Sequence, residues 1–260
     1  MSRQSSFNRC ERSANLCLLA VTLVLALAAA PVSAGTVLIA QGSNVSIGSG
    51  EIDLGCADVE IAGGLSGPLS GARDVTISPG AAPAAAVIGL SGYWINNGPQ
   101  ELDVAIDWRD GCSVYEASML GSSTVPALTI QSSSGREIRL DASGEQRVAN
   151  SLSLTGTPGE LLRLRPTASV QFARLTLGLG ASQLIDSVDV AYIDSDAGQD
   201  IAPGMPADYN SLRSGPVRNW FMLPAVPVST LGLAATGLLI LLMILIGLFH
   251  QRRYTQQASE

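Results

Sequence analysis

Leu102-Asp103-Val104-Ala105-Ile106-Asp107-Trp108 is the clearest strand signal in this chain of 260 residues. Its apolar side chains occupy every second position, so they share one face of an extended backbone. The turn-forming sequence Asn96-Asn97-Gly98-Pro99 stands just before it. The stretch therefore predicts a β-strand that is buried on one face and open to solvent on the other.

Shorter units with the same alternation recur along most of the chain, separated by Gly, Ser and Asn. Their spacing is irregular, which argues against a strict sequence repeat. The units lie at residues 37–40, 45–47, 52–54, 59–61, 75–77, 86–90, 128–130, 138–140, 152–154, 162–164, 175–177 and 188–190.

Short strands, small turn residues and an aromatic content of 5% suit a β-helix better than a sandwich. In a β-helix each strand stacks on a strand of the next coil, and small or β-branched side chains fill the narrow core. We therefore predict an all-β fold, a parallel β-helix (solenoid) over residues 35–222. A sandwich or a mixed β-fold is the alternative.

Three segments resemble coils of secreted bacterial right-handed β-helix proteins. Residues 151–165 read SLSLTGTPGELLRLR, residues 188–197 read VDVAYIDSDA, and Asn219-Trp220 follows, as in the closing coils of those proteins. Residues 91–98, SGYWINNG, resemble an earlier coil. The resemblance implies a right-handed parallel β-helix.

Residues 1–34 have the three parts of a secretory signal peptide. Arg3, Arg9 and Arg12 form a basic start, residues 17–30 are apolar, and Val32-Ser33-Ala34 supplies a small-x-small cleavage pattern. We therefore predict signal peptidase as a partner, with an uncleaved anchor as the alternative.

Residues 231–250 are predicted to form a single transmembrane helix. The run from Leu231 to Phe249 carries no charge, and a helix of about 19 residues spans roughly 28 Å, close to the ~30 Å hydrocarbon core of a bilayer. Arg252 and Arg253 follow as a stop-transfer signal and place the tail, residues 251–260, in the cytoplasm. The membrane is thus a predicted partner, and residues 35–222 are predicted to lie outside the cytoplasm.

The segment before this span, residues 223–230, is interpreted as a linker with a sorting motif. Together with the span and the Arg cluster it resembles the exosortase-processed sorting signals of the IPTL-CTERM and PEP-CTERM group. The residues that stand in the motif position are Val226, Pro227, Val228, Ser229 and Thr230. The resemblance implies an exosortase as partner and delivery to the cell envelope, cell surface or matrix. A permanent single-span anchor is the alternative.

The charge inventory limits the function classes. The chain has no Lys, and its only His is His250. Residues 35–223 carry ten Arg against twenty Asp and Glu, a net charge of −10. Such a surface repels nucleic acid, so no nucleic-acid partner is expected. Catalysis by a Ser-His-Asp triad, a Cys-His pair, His-ligated zinc or a Lys base is excluded from this region. We therefore expect no cofactor.

Two cysteines, Cys56 and Cys112, remain after the predicted signal peptide. In an oxidising compartment they are expected to pair in a disulfide bond; two buried thiols are the alternative.

Carboxylate chemistry is the enzymatic alternative, because five Asp lie within fifteen residues: Asp186, Asp189, Asp194, Asp196 and Asp200. Alternation predicts that Asp189 points to solvent, opposite Val188 and Val190. Residues 194–198 are predicted to form a polar turn, since a twelve-residue calcium loop is incomplete here.

The other candidate binding residues can also be explained by a purely structural role. Arg163 and Arg165 share one strand face, which suits either an acidic sugar or simple solvation. Trp94, Trp108 and Trp220 are predicted to be core residues in preference to glycan platforms. The sequence as a whole predicts an exported surface β-helix protein with a structural or interaction (adhesin-like) role, and extracellular polysaccharide as a partner. A carbohydrate-active β-helix enzyme that uses Asp side chains is the alternative.

Overall fold

The computed structural model describes residues 35–112 and 116–222, together with Met243. The chain divides into two compact units, Met1–Met222 and Leu223–Glu260. The predicted signal peptide, the sorting motif at Val226 to Thr230 and the stop-transfer residues Arg252 and Arg253 lie outside the described residues. So does the predicted span, Met243 excepted. Within the described ranges, no helix has the length and apolar character needed to cross a bilayer.

Short strands dominate the described part of the first unit, and its one helix is a 3₁₀ turn, η1 (Pro206–Tyr209). The strands are β1 (Thr36–Ile39), β2 (Asn44–Ser46), β3 (Ile52–Asp53), β4 (Asp58–Ile61), β5 (Gly64–Ala72), β6 (Val75–Ile77), β7 (Ala82–Leu90), β8 (Tyr93–Asn96), β9 (Val104–Arg109), β10 (Ala117–Leu120), β11 (Ser123–Gln131), β12 (Glu137–Leu140), β13 (Glu145–Thr155), β14 (Leu162–Pro166), β15 (Ala173–Leu177), β16 (Ser182–Asp186), β17 (Val188–Val190), β18 (Ile193–Asp194), β19 (Leu212–Arg213) and β20 (Val217–Arg218).

These strands form two parallel sheets that wind up one solenoid. Sheet A has the order β1-β4-β6-β8-β10-β12-β14-β17-β19, and sheet B has the order β2-β5-β7-β9-β11-β13-β15-β18-β20. The chain visits sheet A and then sheet B once per coil, and from β1 to β19 it makes about eight turns. The prediction of a parallel β-solenoid is confirmed, and the sandwich alternative is wrong.

Coil length varies because the turns between the sheets vary. Val59 pairs with Val75, sixteen residues later, whereas Leu164 pairs with Val190, twenty-six residues later. A solenoid tolerates this variation, since only the stacked strands must stay in register. The irregular spacing of the apolar units in the sequence has this origin.

The core consists of apolar side chains stacked in register from coil to coil. Residues paired in parallel strands lie about 4.8 Å apart, so each side chain contacts the one above it. Burial of each such side chain contributes about 1.5–3 kcal/mol. One column in sheet B contains Leu69, Ile88, Ile106, Leu128 and Leu152, and a second contains Ala72, Leu90, Trp108, Ile130 and Leu154. Trp94, Trp108 and Trp220 are all buried, as predicted.

A buried asparagine closes one corner of the coil. The Nδ2 atom of Asn96 donates to the carbonyl oxygens of Pro99 at 2.9 Å and Ser122 at 2.7 Å. Its Oδ1 atom accepts from the backbone N–H of Gly98. Gly121 fits beside it because a Cβ atom there would lie 2.2 Å from the Asn96 carbonyl oxygen. These bonds satisfy polar groups that the tight turn would otherwise bury without partners.

One long strand, β5, does not follow the alternation of apolar and polar residues. Strand β5 reads GLSGPLSGA and pairs with β7 over most of its length. Its glycines and Pro68 are poor strand formers, so the sequence indicates a spacer there. The pairing with the neighbouring coils overrides that local preference.

Candidate binding groove

A polar groove lies on the outer face of sheet B. Two cavities of about 370 and 430 Å³ adjoin there, and both are lined by Arg109 and Asp110. We call the pair the sheet B groove. Other side chains that line it are those of Glu51, Ser70, Asp107, Gln131, Ser132, Ser133, Thr155 and Thr157.

Strand register places several of these side chains in one column. Arg109 of β9 pairs with Gln131 of β11, and Gln131 pairs with Thr155 of β13. Arg109 and Gln131 are exposed and lie one coil apart, about 4.8 Å along the solenoid, whereas the Thr155 hydroxyl is buried without a hydrogen-bond partner among the described residues. The groove therefore offers exposed hydrogen-bonding groups on two successive coils.

Asp110 is held in place by three consecutive serines from the next coil. The backbone N–H groups of Ser133 and Ser134 donate to its Oδ2 atom at 2.7 and 3.1 Å, and the hydroxyls of Ser132 and Ser133 donate to the same atom. Burial alone would raise the pKa of Asp110, but these hydrogen bonds outweigh it and lower the pKa. Asp110 is therefore ionised at neutral pH.

A buried cation lies on the other side of Asp110. The Nη1 atom of Arg136 is 4.0 Å from the Asp110 Oδ1 atom, and the Arg136 side chain is only 5% exposed. Burial lowers the pKa of this guanidinium, and the charge of Asp110 opposes that effect. Its Nε and Nη2 atoms have no hydrogen-bond partner among the described residues. The Asp110 carboxylate thus has one fixed orientation in the groove wall.

Arg109 and Asp107 form an exposed pair on the groove surface. The Nε atom of Arg109 donates to both carboxylate oxygens of Asp107 at 3.0 Å. The Arg109 side chain is 63% exposed, so its other guanidinium donors face solvent. A ligand in the groove meets both donors and acceptors here.

Cys56 and Cys112 form a disulfide bond at one end of the groove, with their Cα atoms 5.4 Å apart. Cys112 lines the first cavity and follows β9, whereas Cys56 lies between β3 and β4, three coils earlier. The bond therefore spans four successive coils beside the groove.

Sheet A carries paired charges in its later coils. Glu137, Arg163 and Asp189 are register neighbours in successive strands. Arg139 donates to Glu137 at 2.8 Å, and Arg165 forms a salt bridge with Asp189. Alternating charges in adjacent strands stabilise the ladder modestly.

The prediction that Asp189 points to solvent is wrong. It lies on the outer face of sheet A, but it is only 8% exposed. The guanidinium of Arg165 covers it and donates to both its carboxylate and its backbone carbonyl oxygen. Arg165 is therefore held by Asp189, while Arg163 is exposed as predicted.

The other acidic candidates do not form a common site with Asp189. Asp186 and Asp194 belong to sheet B, whereas Asp189 belongs to sheet A. Residues 194–198 form the predicted polar turn, in which the Asp196 N–H donates to Asp194 Oδ1 at 3.0 Å. Across the described ranges, no group of three His, Cys, Asp or Glu side chains is arranged to hold a metal ion.

A further cavity of about 430 Å³ lies higher on sheet B. Its walls carry the alternating charges of Glu145, Arg174, Asp194 and Arg218, which are neighbours in register. Arg218 donates to Asp194 at 3.3 Å. Arg218 and Asp194 therefore satisfy one another, and Glu145 accepts from the Thr176 hydroxyl at 2.8 Å.

The sequence did not single out Asp110, Gln131 or the run Ser132-Ser133-Ser134 as functional. Asp110 and Ser132 lie twenty-two residues apart, and only the length of the intervening coil brings them together. An acidic residue one coil before a run of serines is the signal that points to such a contact.

The chain matches no family model, no curated protein and no solved structure.

Proposed function

We propose that this protein is exported, held at the cell envelope, and binds an extended neutral polysaccharide in the sheet B groove. The observation that carries the proposal is the pair Arg109 and Gln131, whose exposed polar side chains line the groove one coil apart in register. A polymer of hydroxyl-rich units that lies along the solenoid can meet equivalent partners at successive coils. Such a role is structural or adhesin-like.

The charge of the groove selects a neutral ligand. Asp107 and Asp110 lie in the groove, and residues 35–223 carry a net charge of −10. An anionic polymer would meet like charges at both short and long range. Hydroxyl groups, in contrast, donate to carboxylates and accept from Arg109 and Gln131.

Export is supported by the sequence of the two ends. The basic and apolar parts of residues 1–34, the apolar run of residues 231–250 and the pair Arg252-Arg253 support an outward solenoid on a membrane anchor. The right-handed coil expected of parallel crossovers fits the resemblance to secreted β-helix proteins. Processing by an exosortase at residues 226–230 would release the solenoid to the surface or matrix.

Binding is tested by cosedimentation of the detergent-solubilised full chain with insoluble polysaccharides. We expect retention on a neutral polymer such as cellulose or curdlan, and none on cross-linked polygalacturonate at low salt. Retention on the anionic polymer, or on none of the three, would contradict the proposal.

Processing is tested by replacing residues 226–230 with Ala in the full chain. We expect a larger, membrane-bound species, because the motif would no longer be cut. An unchanged size and an unchanged distribution between membrane and medium would make the segment a plain linker.

A carbohydrate-active enzyme is the second candidate, because the groove holds the two carboxylates of Asp107 and Asp110. Glycoside hydrolysis requires one carboxyl group that keeps its proton until it donates it to the leaving group. The lowered pKa of Asp110 makes it unsuited to that role. Release of reducing sugars that disappears in Asp110→Asn would establish the enzyme over the binding protein.

A further inference from the structure

The first coil of the solenoid has an open edge. Strand β1 pairs with β4 on one side, and β2 and β3 pair with β5 on one side. Among residues 35–112 and 116–222, no strand pairs with their other edge. The outer N–H and C=O groups of such strands form a template for another strand.

Strands β1 and β2 of this coil carry no charged residue and no Pro, whereas β3 is two residues long and ends in Asp53. Residues 35–50 contain no charged residue and no Pro. Charged side chains, Pro and very short strands are the means by which natural sheets prevent edge pairing. The coil is therefore suited to association.

The edge strands of the last coil differ from those of the first coil. Strands β19 and β20 are two residues long each, and each ends in an arginine, Arg213 or Arg218. Pro216 directly precedes β20. Both named strands at this end are thus very short and charged, whereas at the other end β1 has four residues and no charge.

Apolar side chains are exposed on the first coil. Val37 continues the core column of Val59, but it is 40% exposed, since no strand of the described residues lies over β1. Leu38 on the outer face of β1 is 59% exposed, and Ile52 of β3 is 42% exposed. The core column thus ends at an uncovered apolar surface.

We infer that the first coil pairs with the first coil of a second copy, head to head. Two molecules that each carry a net charge of −10 over residues 35–223 repel one another wherever their acidic surfaces meet. Residues 35–50 carry no charge, so two copies can approach one another there with the least electrostatic repulsion. The second copy is therefore the occupant that the charge distribution favours.

A two-fold axis between the two copies allows the edge strands of both sheets to pair. A coil that is turned over runs in the opposite direction, so β1 lies antiparallel to the same strand of its partner. The same operation brings β2 of each copy opposite β3 of the other. Residues 35–54 form the contacting coil, in which Glu51 and Asp53 are the only charged residues. Its length is close to the roughly 20–30 residues per side of a standard interface.

The proximity of the two copies is tested by disulfide cross-linking in membranes that contain the full chain. Leu38→Cys, near the middle of β1, is expected to give a covalent dimer on a non-reducing gel, because the two-fold axis brings this position close to its own copy. Arg213→Cys in β19 is the matched control at the other end and is expected to stay monomeric, as is the unaltered chain.

The strength of association is tested by a matched pair of leucine substitutions. Leu38 and Leu212 are 59% and 57% exposed, and both belong to end strands of sheet A. Leu38→Glu places like charges in the interface and is expected to weaken the dimer by about a hundredfold. Leu212→Glu is expected to leave the dimer unchanged. Sedimentation of the solubilised full chain measures both, and circular dichroism checks that each variant is folded.

Three results would overturn the inference. They are a monomeric full chain, equal weakening by both leucine substitutions, and cross-linking by Arg213→Cys but not by Leu38→Cys. Mass analysis then distinguishes two causes of a monomer. If residues 1–34 are retained and the protein is monomeric, the chain's own N-terminal segment, and not a second copy, is the candidate to cover the edge. None of these measurements involves a polysaccharide, so they are independent of the proposed function.

Discussion

The two outer faces of the solenoid use the same strand geometry for different purposes. On sheet A, Arg165 covers Asp189 and Arg139 binds Glu137, so each of these charges has its partner on the same face. On sheet B, Arg109 is paired with Asp107 in the same way, but the exposed side chain of Gln131 lies beside it in the groove. A ladder that satisfies its own charges stabilises the coil, whereas the amide of Gln131 beside Arg109 is available to a ligand.

The largest effect is expected from the disulfide bond that borders the groove. The double substitution Cys56→Ser and Cys112→Ser opens a loop with a sequence separation of 56 residues. It is expected to lower the free energy of unfolding by about 4 kcal/mol, because the unfolded chain gains that loop's entropy. Urea unfolding measures the change. If a reducing agent destabilises the serine variant as much as the native chain, the effect does not come from this bond.

The next effect belongs to sheet A and its buried charge. Arg165→Ala removes the cation that covers Asp189, whose Oδ1 atom already lacks a partner among the described residues. We expect a loss of about 2–4 kcal/mol of unfolding free energy, since a buried carboxylate is left uncompensated. Polysaccharide binding should not change, because Arg165 lies outside the sheet B groove. In the double variant with Asp189→Asn, most of the lost stability should return; if it does not, the charge is not the cause.

A smaller and pH-dependent effect is expected for Asp110. Its pKa in the folded protein lies below the ordinary value of 3.8, so the folded protein binds this proton more weakly than the unfolded chain does. The stability due to the carboxylate is therefore complete above the ordinary value and is lost as the pH falls from there through the lower pKa of the folded protein. Asp110→Asn is expected to cost about 1–2 kcal/mol at pH 7 and less at pH 3. Urea unfolding at both pH values gives the comparison, and a cost that is the same at both would refute the ionic role.

The smallest effects on stability are expected for two exposed arginines. Arg109 and Arg139 each bind the carboxylate two residues earlier in the same strand, Asp107 or Glu137, at 3.0 and 2.8 Å. Their side chains are 63% and 54% exposed, so each pair contributes less than about 1 kcal/mol. Arg109→Ala and Arg139→Ala should therefore unfold at nearly the same urea concentration as the native chain. A large loss in either would show that the side chain supports the fold.

Much of the fold is readable from the sequence, because alternation is a local property. The unit at residues 102–108 becomes β9 with Val104, Ile106 and Trp108 buried. Strand β5 is not readable, since its glycines obey no alternation and its pairing depends on the coils on either side. The number of residues between two strands determines which side chains stack on one another. Secondary-structure propensities do not predict that number.

The site is harder to predict than the fold for the same reason. The burial of Asp189 depends on Arg165, which lies twenty-four residues away in the preceding coil. The orientation of Asp110 depends on serines of the following coil. Until the strand register is known, each of these residues would be interpreted as an ordinary solvent-exposed side chain. Contacts between coils, and not motifs, define the groove.

The central claim is that sheet B, and not sheet A, is the binding face. The matched variants Arg109→Ala and Arg139→Ala test it, because the two arginines have like partners and like exposure on the two faces. The measurement is the dissociation constant of the full chain for a soluble neutral polysaccharide by affinity electrophoresis. We expect Arg109→Ala to weaken binding about tenfold, equivalent to about 1.4 kcal/mol, and Arg139→Ala to leave it unchanged. Weakened binding in Arg139→Ala with native affinity in Arg109→Ala would place the ligand on the other face and contradict the account.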